Sequence, residues 1–301
     1  MHLQAAELRS PPRGEWRADR SGAPPRSLAF AHVSGPQTAS RRARAPEVAL
    51  RVSGALRRRM RRPQPPLTFP GVPGAIHRDD DMKHPEDVDG AHYARVGRSA
   101  IEAIRRALAD AERGFDDVTS CLDMPCGYGR VLRMLAQEIA PERITACDIN
   151  RQAIRFCATH FGANPLRSTP SLDRMSLGRH DLVWCGSLVT HLDEERVAQL
   201  LRSFTEALLP GGIAVVTIHA EPPTTGEFAP RRDEIADALR TRGHHHIAYE
   251  GALFDYGHAW HTPEHVTRAF AAASGDTVRL VSHRPRGWDE NQDVLAFRRE
   301  S

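Results

Sequence analysis

The stretch Asp123-Met124-Pro125-Cys126-Gly127-Tyr128-Gly129-Arg130 holds the strongest chemical signal in the chain. It stands between the apolar run Val118 to Met124 and the helical pattern of Val131 to Ile139. Glycines at such a bend let the backbone approach a ligand closely, and the start of the following helix offers unpaired N–H groups to a carboxylate or phosphate. A second acid, Asp148, lies at the end of the next apolar run, Ile144 to Ile149. An ionised carboxylate has two acceptor oxygens, so one aspartate can take both donors of a diol. Gly-x-Gly alone is a weak signal; its position after a strand, with acids at two successive strand ends, makes it far more specific.

The elements that must position these residues are readable from periodicity. Val96, Ala100, Ile101, Ile104 and Leu108 recur at helical spacing, marking an amphipathic helix from Tyr93 to near Gly114. Strands at Val118 to Met124 and Ile144 to Ile149 alternate with helices at Val131 to Ile139 and Gln152 to Phe161. The alternation continues through a weak strand near Leu166, a strong one at Asp181 to Cys185, a helix from Glu194 to Leu209 and a strand at Ile213 to His219. Pro210-Gly211-Gly212 reads as a sharp turn between the last two. Glu221 to His261 is irregular and reads as a partly helical cap, after which come a helix at Pro263 to Ala273 and strands at Thr277 to Ser282 and Asp293 to Phe297. The last two strands follow one another through a loop, Arg284 to Gln292, and so are expected to be antiparallel neighbours. The pattern predicts an α/β fold with a mostly parallel sheet.

Ligands of open α/β sheets bind at the carboxyl ends of the strands. That places an acceptor over Ser187, His191 and His219, with Trp288 and Asp289 of the final hairpin at the same rim. Histidine titrates near neutral pH, so His191 first and His219 second are candidate bases; rim histidines satisfied by backbone carbonyls are the bland alternative. The run His244-His245-His246, with His258, His261 and His265, invites a metal reading. Three adjacent histidines cannot all face one ion from a regular element, so no metal is expected.

The loop resembles the first motif of class I S-adenosylmethionine-dependent methyltransferases, in particular a bacterial subgroup with an Asp-Leu-Pro-Cys-Gly-x-Gly-Arg version. The resemblance extends through Thr145 to Asp148, Gly186 to Asp193 and Gly287 to Val294. It implies a Rossmann-like, three-layer fold with seven strands in the order 3-2-1-4-5-7-6, the last antiparallel. It implies S-adenosyl-L-methionine as cofactor, with Asp123 orienting the methionine amino group, Gly127 and Gly129 admitting the amino-acid part and ribose, and Asp148 holding the ribose hydroxyls. Pro125, Cys126, Arg130 and Ile149 complete that stretch of the site, Ser168 and Gly186 are expected beside adenine, and Ser187 is counted with the cofactor-binding residues at the acceptor rim. Pro125 replaces the family's first glycine and has no N–H, so a backbone contact expected there is lost. Members of the subgroup accompany glycosyltransferases, which suggests a sugar or other small hydroxyl- or amine-bearing acceptor by association.

Composition bounds the rest. No long uncharged apolar run and no secretory h-region exist, so a cytoplasmic protein without membrane partners is expected. Cys121, Cys126, Cys147, Cys157 and Cys185 show no metal-type spacing and read as reduced core thiols. Residues 1–75 hold fourteen arginines against four acids, so the overall +3 hides a surplus of ten there and a deficit of seven in the remainder. An acidic body argues against nucleic acid as a partner. Residues 1–81 are rich in Arg, Pro and Ala and are expected to be a disordered extension or a start placed too early, with the catalytic domain at residues 82–301 and its cap at about 221–261. Oligomeric state is not legible.

Two other functions fit parts of the pattern. A nicotinamide-dependent oxidoreductase shares the strand, glycines and distant acid, but Leu132 stands where its third glycine belongs. A catalytically inactive binding protein on the same fold is the other, against which the intact Asp123, Gly127, Gly129 and Asp148 speak.

Overall fold

The structure, a computed structural model, describes residues 65–173, 175–251 and 256–300. Most of the Arg/Pro/Ala-rich extension therefore lies outside the described residues. Residues 65–81 do not behave as the sequence suggested: they fold onto the domain. Leu67 and Ile76 exchange backbone hydrogen bonds, and Ile76 is fully buried. The buried Arg133 donates to the carbonyls of Pro73 and Ala75, and Tyr93 donates to Asp80 at 2.6 Å. The segment has no periodicity because its place is fixed by these polar anchors.

The elements in chain order are α1 (Ala91–Asp110), β1 (Cys121–Asp123), α2 (Leu132–Glu138), β2 (Ile144–Asp148), α3 (Arg151–Phe161), β3 (Asn164–Arg167), β4 (His180–Cys185), α4 (Glu194–Ala207) and β5 (Leu208–Ile218). The cap follows as α5 (Arg232–Arg242), β6 (His244–Ala248) and β7 (Gly257–His261), and the chain closes with α6 (Pro263–Ser274), β8 (Val278–Trp288) and β9 (Gln292–Arg299). Three of the helix starts carry side-chain caps. Asn150 accepts from the N–H groups of Gln152 and Ala153, Asp193 from Arg196, and Thr262 from His265.

Seven strands form one sheet in the order β3-β2-β1-β4-β5-β9-β8. Counting only those seven, this is 3-2-1-4-5-7-6, with β9 antiparallel to both neighbours and the pairs from β3 through to β5 parallel. Of the three prolines within strands, Pro165 and Pro285 sit in the edge strands β3 and β8, where a missing N–H costs no ladder bond, and Pro210 sits where β5 breaks its register. Two boundaries differ from the sequence reading. Pro210 to Gly212 form a bulge inside β5, because Leu208 already pairs with His180. The final loop shrinks to Asp289–Asn291, since β8 bulges between Arg284 and Trp288 and stays paired through to Gln292.

Alternation along the strands feeds two cores. Leu182 and Trp184 face α1 and α2, whereas Val183 and Cys185 face α4 and α6. Trp184 packs edge-on against Trp288 at 5.3 Å, and Gly186 is required beside it, since a Cβ there would lie 2.9 Å from the indole. No helix among the described residues is long and apolar enough to cross a membrane.

Candidate functional site

The carboxyl ends of β1, β2 and β4 open into a cleft of about 910 Å³. Its floor is the bend after β1, where Gly127 adopts φ +50° with open space beyond its Cα. Asp148 organises that bend: it accepts from the N–H of Gly127 at 2.9 Å and of Asn150 at 2.8 Å, so each oxygen keeps capacity for a further donor. Burial raises the Asp148 carboxyl above its ordinary value, and the backbone donors oppose that rise. Ile149, Tyr128, Leu172, Leu188 and Tyr256 supply apolar walls, suited to a flat heterocycle, and Ser168 sits among them.

The charge of the lining is distinctive. Asp79, Asp80, Asp81 and Asp148 face Arg196 as the sole cationic lining residue among those described. A cleft so acidic repels phosphates and favours a ligand carrying positive charge and hydroxyl donors. Asp79 to Asp81 belong to the segment folded onto the domain, and their contribution was invisible to a reading that began the domain at Met82. His77, stacked on Tyr128 at 4.3 Å, holds that segment against the floor.

Asp123 lies at the end of β1 but does not line the cleft. Both of its oxygens are shielded and have no hydrogen-bond partner, and burial, with Asp148 nearby, pushes its carboxyl well above the usual range. Such an orphaned acid is what a donor entering from the cleft would satisfy. Pro125 lines the cleft directly, whereas Cys126 is buried beneath it, with its N–H on the Cys147 carbonyl. Gly129 serves packing: a Cβ there would lie 2.9 Å from Phe161. Arg130 is buried with its guanidinium 5.7 Å from the Trp288 ring, away from the cleft.

Gly186, expected beside adenine, and Ser187, expected at the cofactor and acceptor rim, take other roles. Ser187 closes a buried ring in which its N–H donates to Thr217 Oγ1, Thr217 donates to Gln292, and Gln292 donates to Ser187 Oγ, at 2.8, 2.6 and 2.6 Å. This ring locks β4, β5 and β9 together. Trp288 donates to the Val96 carbonyl and Asp289 pairs with Arg95, so both hold the final hairpin on α1 instead of facing an acceptor. The hairpin reaches the rim through Arg286, Asn291 and Asp293 instead.

Those three residues line a second, polar cavity of about 1040 Å³ at the end of β5, roofed by the cap. His219, Phe228, His258 and Trp260 give it an aromatic wall, with His258 stacked on His219 at 5.1 Å. A file of rings joins the two cavities. Tyr256 of the cleft stacks on His191 at 4.9 Å, and His191 meets His258 edge-on at 5.8 Å. His191 itself lines neither cavity; its Nδ1 donates to the Gly257 carbonyl at 2.7 Å, and burial brings its pKa down to about 4. His258, buried beside His219 and His191, falls to about 2. His219 was legible from its strand-end position; Tyr256, His258 and Trp260 were not, because the cap carries no motif.

Residues 122–214 match the family model described as "Methyltransferase domain". No curated protein matches the sequence. Among solved structures, DesVI of Streptomyces venezuelae is similar at 16% identity over 73% of this chain and 99% of that one, with a TM-score of 0.49. A S-adenosylmethionine-dependent methyltransferase from Clostridium acetobutylicum ATCC 824 is similar at 10% identity over 68% and 92%, with a TM-score of 0.48. The N-methyltransferase NodS from Bradyrhizobium japonicum WM9, in complex with S-adenosyl-L-homocysteine, is similar at 14% over 73% and 95%, with a TM-score of 0.46. Likeness at this level says nothing of substrate. The family match, the strand order and the chemistry of the cleft together support an S-adenosylmethionine-dependent methyltransferase.

Proposed function

We propose that the protein transfers a methyl group from S-adenosylmethionine to a small hydroxyl- or amine-bearing acceptor, with a sugar as the leading class. The observation that carries the reading is the acidic cleft at the β1 and β2 ends. Its carboxylates suit a donor bearing a sulfonium, an ammonium and a ribose diol, and the same carboxylates disfavour the two phosphates of a nicotinamide dinucleotide. Asp148 takes the ribose hydroxyls, the Gly127 bend leaves room for the ribose and amino-acid part, and the apolar walls with Ser168 take adenine. Asp123 answers the amino group from beneath the floor. When bound, the cofactor supplies an activated methyl group for direct displacement.

The acceptor occupies the second cavity, where the half-buried Phe228, backed by the buried Trp260, suits the apolar face of a pyranose and Asn291, Arg286 and Asp293 suit its hydroxyls. The two cavities meet at Tyr256, His191 and His258, the rings that an acceptor nucleophile must pass to reach the methyl group. Orientation in line with the methyl group supplies much of the rate, and a base is needed only for a protonated acceptor. His219 is the candidate for that base, since it lines the acceptor cavity. His191, sealed by Gly257 and Tyr256 and shifted to about 4, is a poorer base and acts in positioning the ring file.

The test is calorimetric titration of S-adenosylmethionine into the full chain and into Asp148→Asn, which keeps the side-chain shape. Binding to the parent and at least a tenfold loss in the variant, about 1.4 kcal/mol, are expected. Absence of binding to the parent would sink the reading. Binding without transfer of labelled methyl to any sugar, polyol or amine tested would instead favour an inactive binding protein.

A further inference from the structure

The base of the cap holds a cluster that neither cavity uses. His244 opens β6, His261 closes β7 as its cross-strand partner, His265 lies in the first turn of α6, and Glu194 is the first residue of α4. Glu194, His244 and His265 each present a ligand atom, and the three atoms lie within 4.8 Å of one another. The rings of His244 and His265 are 4.7 Å apart between centroids, and those of His261 and His265 5.6 Å.

Hydrogen bonding does not account for this gathering. His265 is 7% exposed, and its Nε2 is buried without a partner, as are Nδ1 of His244 and Nδ1 of His261. Nε2 of His261 donates to the Leu192 carbonyl, which leaves its Nδ1 as a bare lone pair in the same layer. The one polar contact within the triad, His244 Nε2 to Glu194 Oε2, measures 3.4 Å, long for a charge-assisted hydrogen bond. A buried ring nitrogen without a partner is costly, and the unpartnered Nε2 of His265, in a group with the His244 ring and the Glu194 carboxylate, calls for an electron-pair acceptor.

We infer that Glu194, His244 and His265 form a binding site for one divalent transition-metal ion of the zinc class. Two imidazoles and one carboxylate are a borderline nitrogen/oxygen set that suits zinc, and three protein ligands leave a fourth position for water. Tetrahedral zinc with bonds of 2.0–2.1 Å spaces its donors by about 3.4 Å. Glu194 and His244 already stand at that spacing, and the exposed Glu194 side chain is able to follow the ion towards His265. The His-rich run argued against a metal because its neighbours point to opposite faces of a strand. That argument holds for His245, but tertiary folding completes the site around His244 alone, with ligands from two helices. The ion joins the cap strand β6 to α4 and α6, so it fixes the roof of the acceptor cavity without touching either cavity. This inference does not depend on which acceptor, or which cofactor, the protein uses.

The experiment uses the untagged full chain, stripped with a chelator and dialysed, then titrated with zinc chloride in a calorimeter and with cobalt chloride under visible absorption. Expected are one equivalent of zinc with submicromolar affinity, the intense visible bands of four-coordinate cobalt, and a higher midpoint of thermal unfolding with zinc. His265→Gln, His244→Gln and Glu194→Gln should each weaken zinc binding at least thirtyfold, while His245→Gln, on the same strand, leaves it unchanged. Glu194 is exposed, so its variant reads the site even where a histidine variant fails to fold. Absence of stoichiometric zinc uptake, a weak six-coordinate cobalt spectrum, or unchanged zinc affinity in Glu194→Gln would each overturn the proposal.

Discussion

At the scale of single residues, the cleft is governed by two acids with opposite circumstances. Asp148 is fed by two backbone N–H groups and faces the cleft, whereas Asp123 is sealed with both oxygens unpartnered. A carboxyl whose folded pKa is raised stabilises the fold fully below its unfolded value and loses that contribution as pH rises through the folded value. Asp123 is raised well above 3.8, chiefly by burial and then by the charge of Asp148, so without cofactor it weakens the fold progressively above that pH. Asp123→Asn, which has no charge to bury, should therefore gain on the parent as pH rises from about 4 to about 8. Urea unfolding of both proteins across that range, without cofactor, measures the gap. Parallel stability curves would show that Asp123 carries no such burden. The same variant is expected to bind S-adenosylmethionine more weakly, because its neutral amide lacks the charge that pairs with an ammonium group.

At the scale of elements, the segment before α1 is part of the site. Arg133 ties it to α2 through the carbonyls of Pro73 and Ala75, and the exposed Asp79 and Asp81 bring carboxylates to the cleft beside the buried Asp80. Removing residues 1–81, so that the chain begins at Met82, would strip one wall and leave the buried Arg133 short of two acceptors. A buried charge that loses partners costs several kcal/mol. We expect this truncated chain to unfold at a clearly lower temperature and to bind S-adenosylmethionine at least tenfold more weakly, whereas removal of residues 1–64 alone should preserve binding. Thermal melts and calorimetry on the two truncations decide the matter, and equal behaviour of both would show that the segment is dispensable.

At the scale of the whole molecule, two cavities lie along one edge of the sheet and are joined by a file of stacked rings under a cap. All five cysteines are free and buried in the layers around that sheet, and burial raises the thiol pKa of Cys121, Cys126, Cys147 and Cys185. A thiol that is neither exposed nor ionised reacts slowly. A chromogenic thiol reagent at neutral pH should thus label almost none of the native protein quickly and all five cysteines after denaturation. Rapid native labelling at any cysteine would place that residue at a surface. The histidines of the cap behave as part of the same whole: His258 and His261, shifted to about 2 and about 3 by burial, stay neutral across the physiological range.

The sequence by itself determined the alternation of strands and helices, the bend after β1 and the two strand-end acids. These are local: a period of two or 3.6 residues, a glycine that must turn, an acid that ends a strand. It also placed His219 and the final hairpin at the ligand edge, since every parallel strand of such a sheet ends on that side. Only tertiary structure decided which side chains face a cavity. Trp288 and Asp289 spend their polar groups on α1, Ser187 spends its own on Gln292 and Thr217, and His191 is closed off by Gly257. The acidic wall from Asp79 to Asp81, the cap residues His258 and Trp260, and the Glu194–His244–His265 cluster come from segments far apart in the chain. No spacing records such encounters, because they are set by packing between elements and not by the geometry within one.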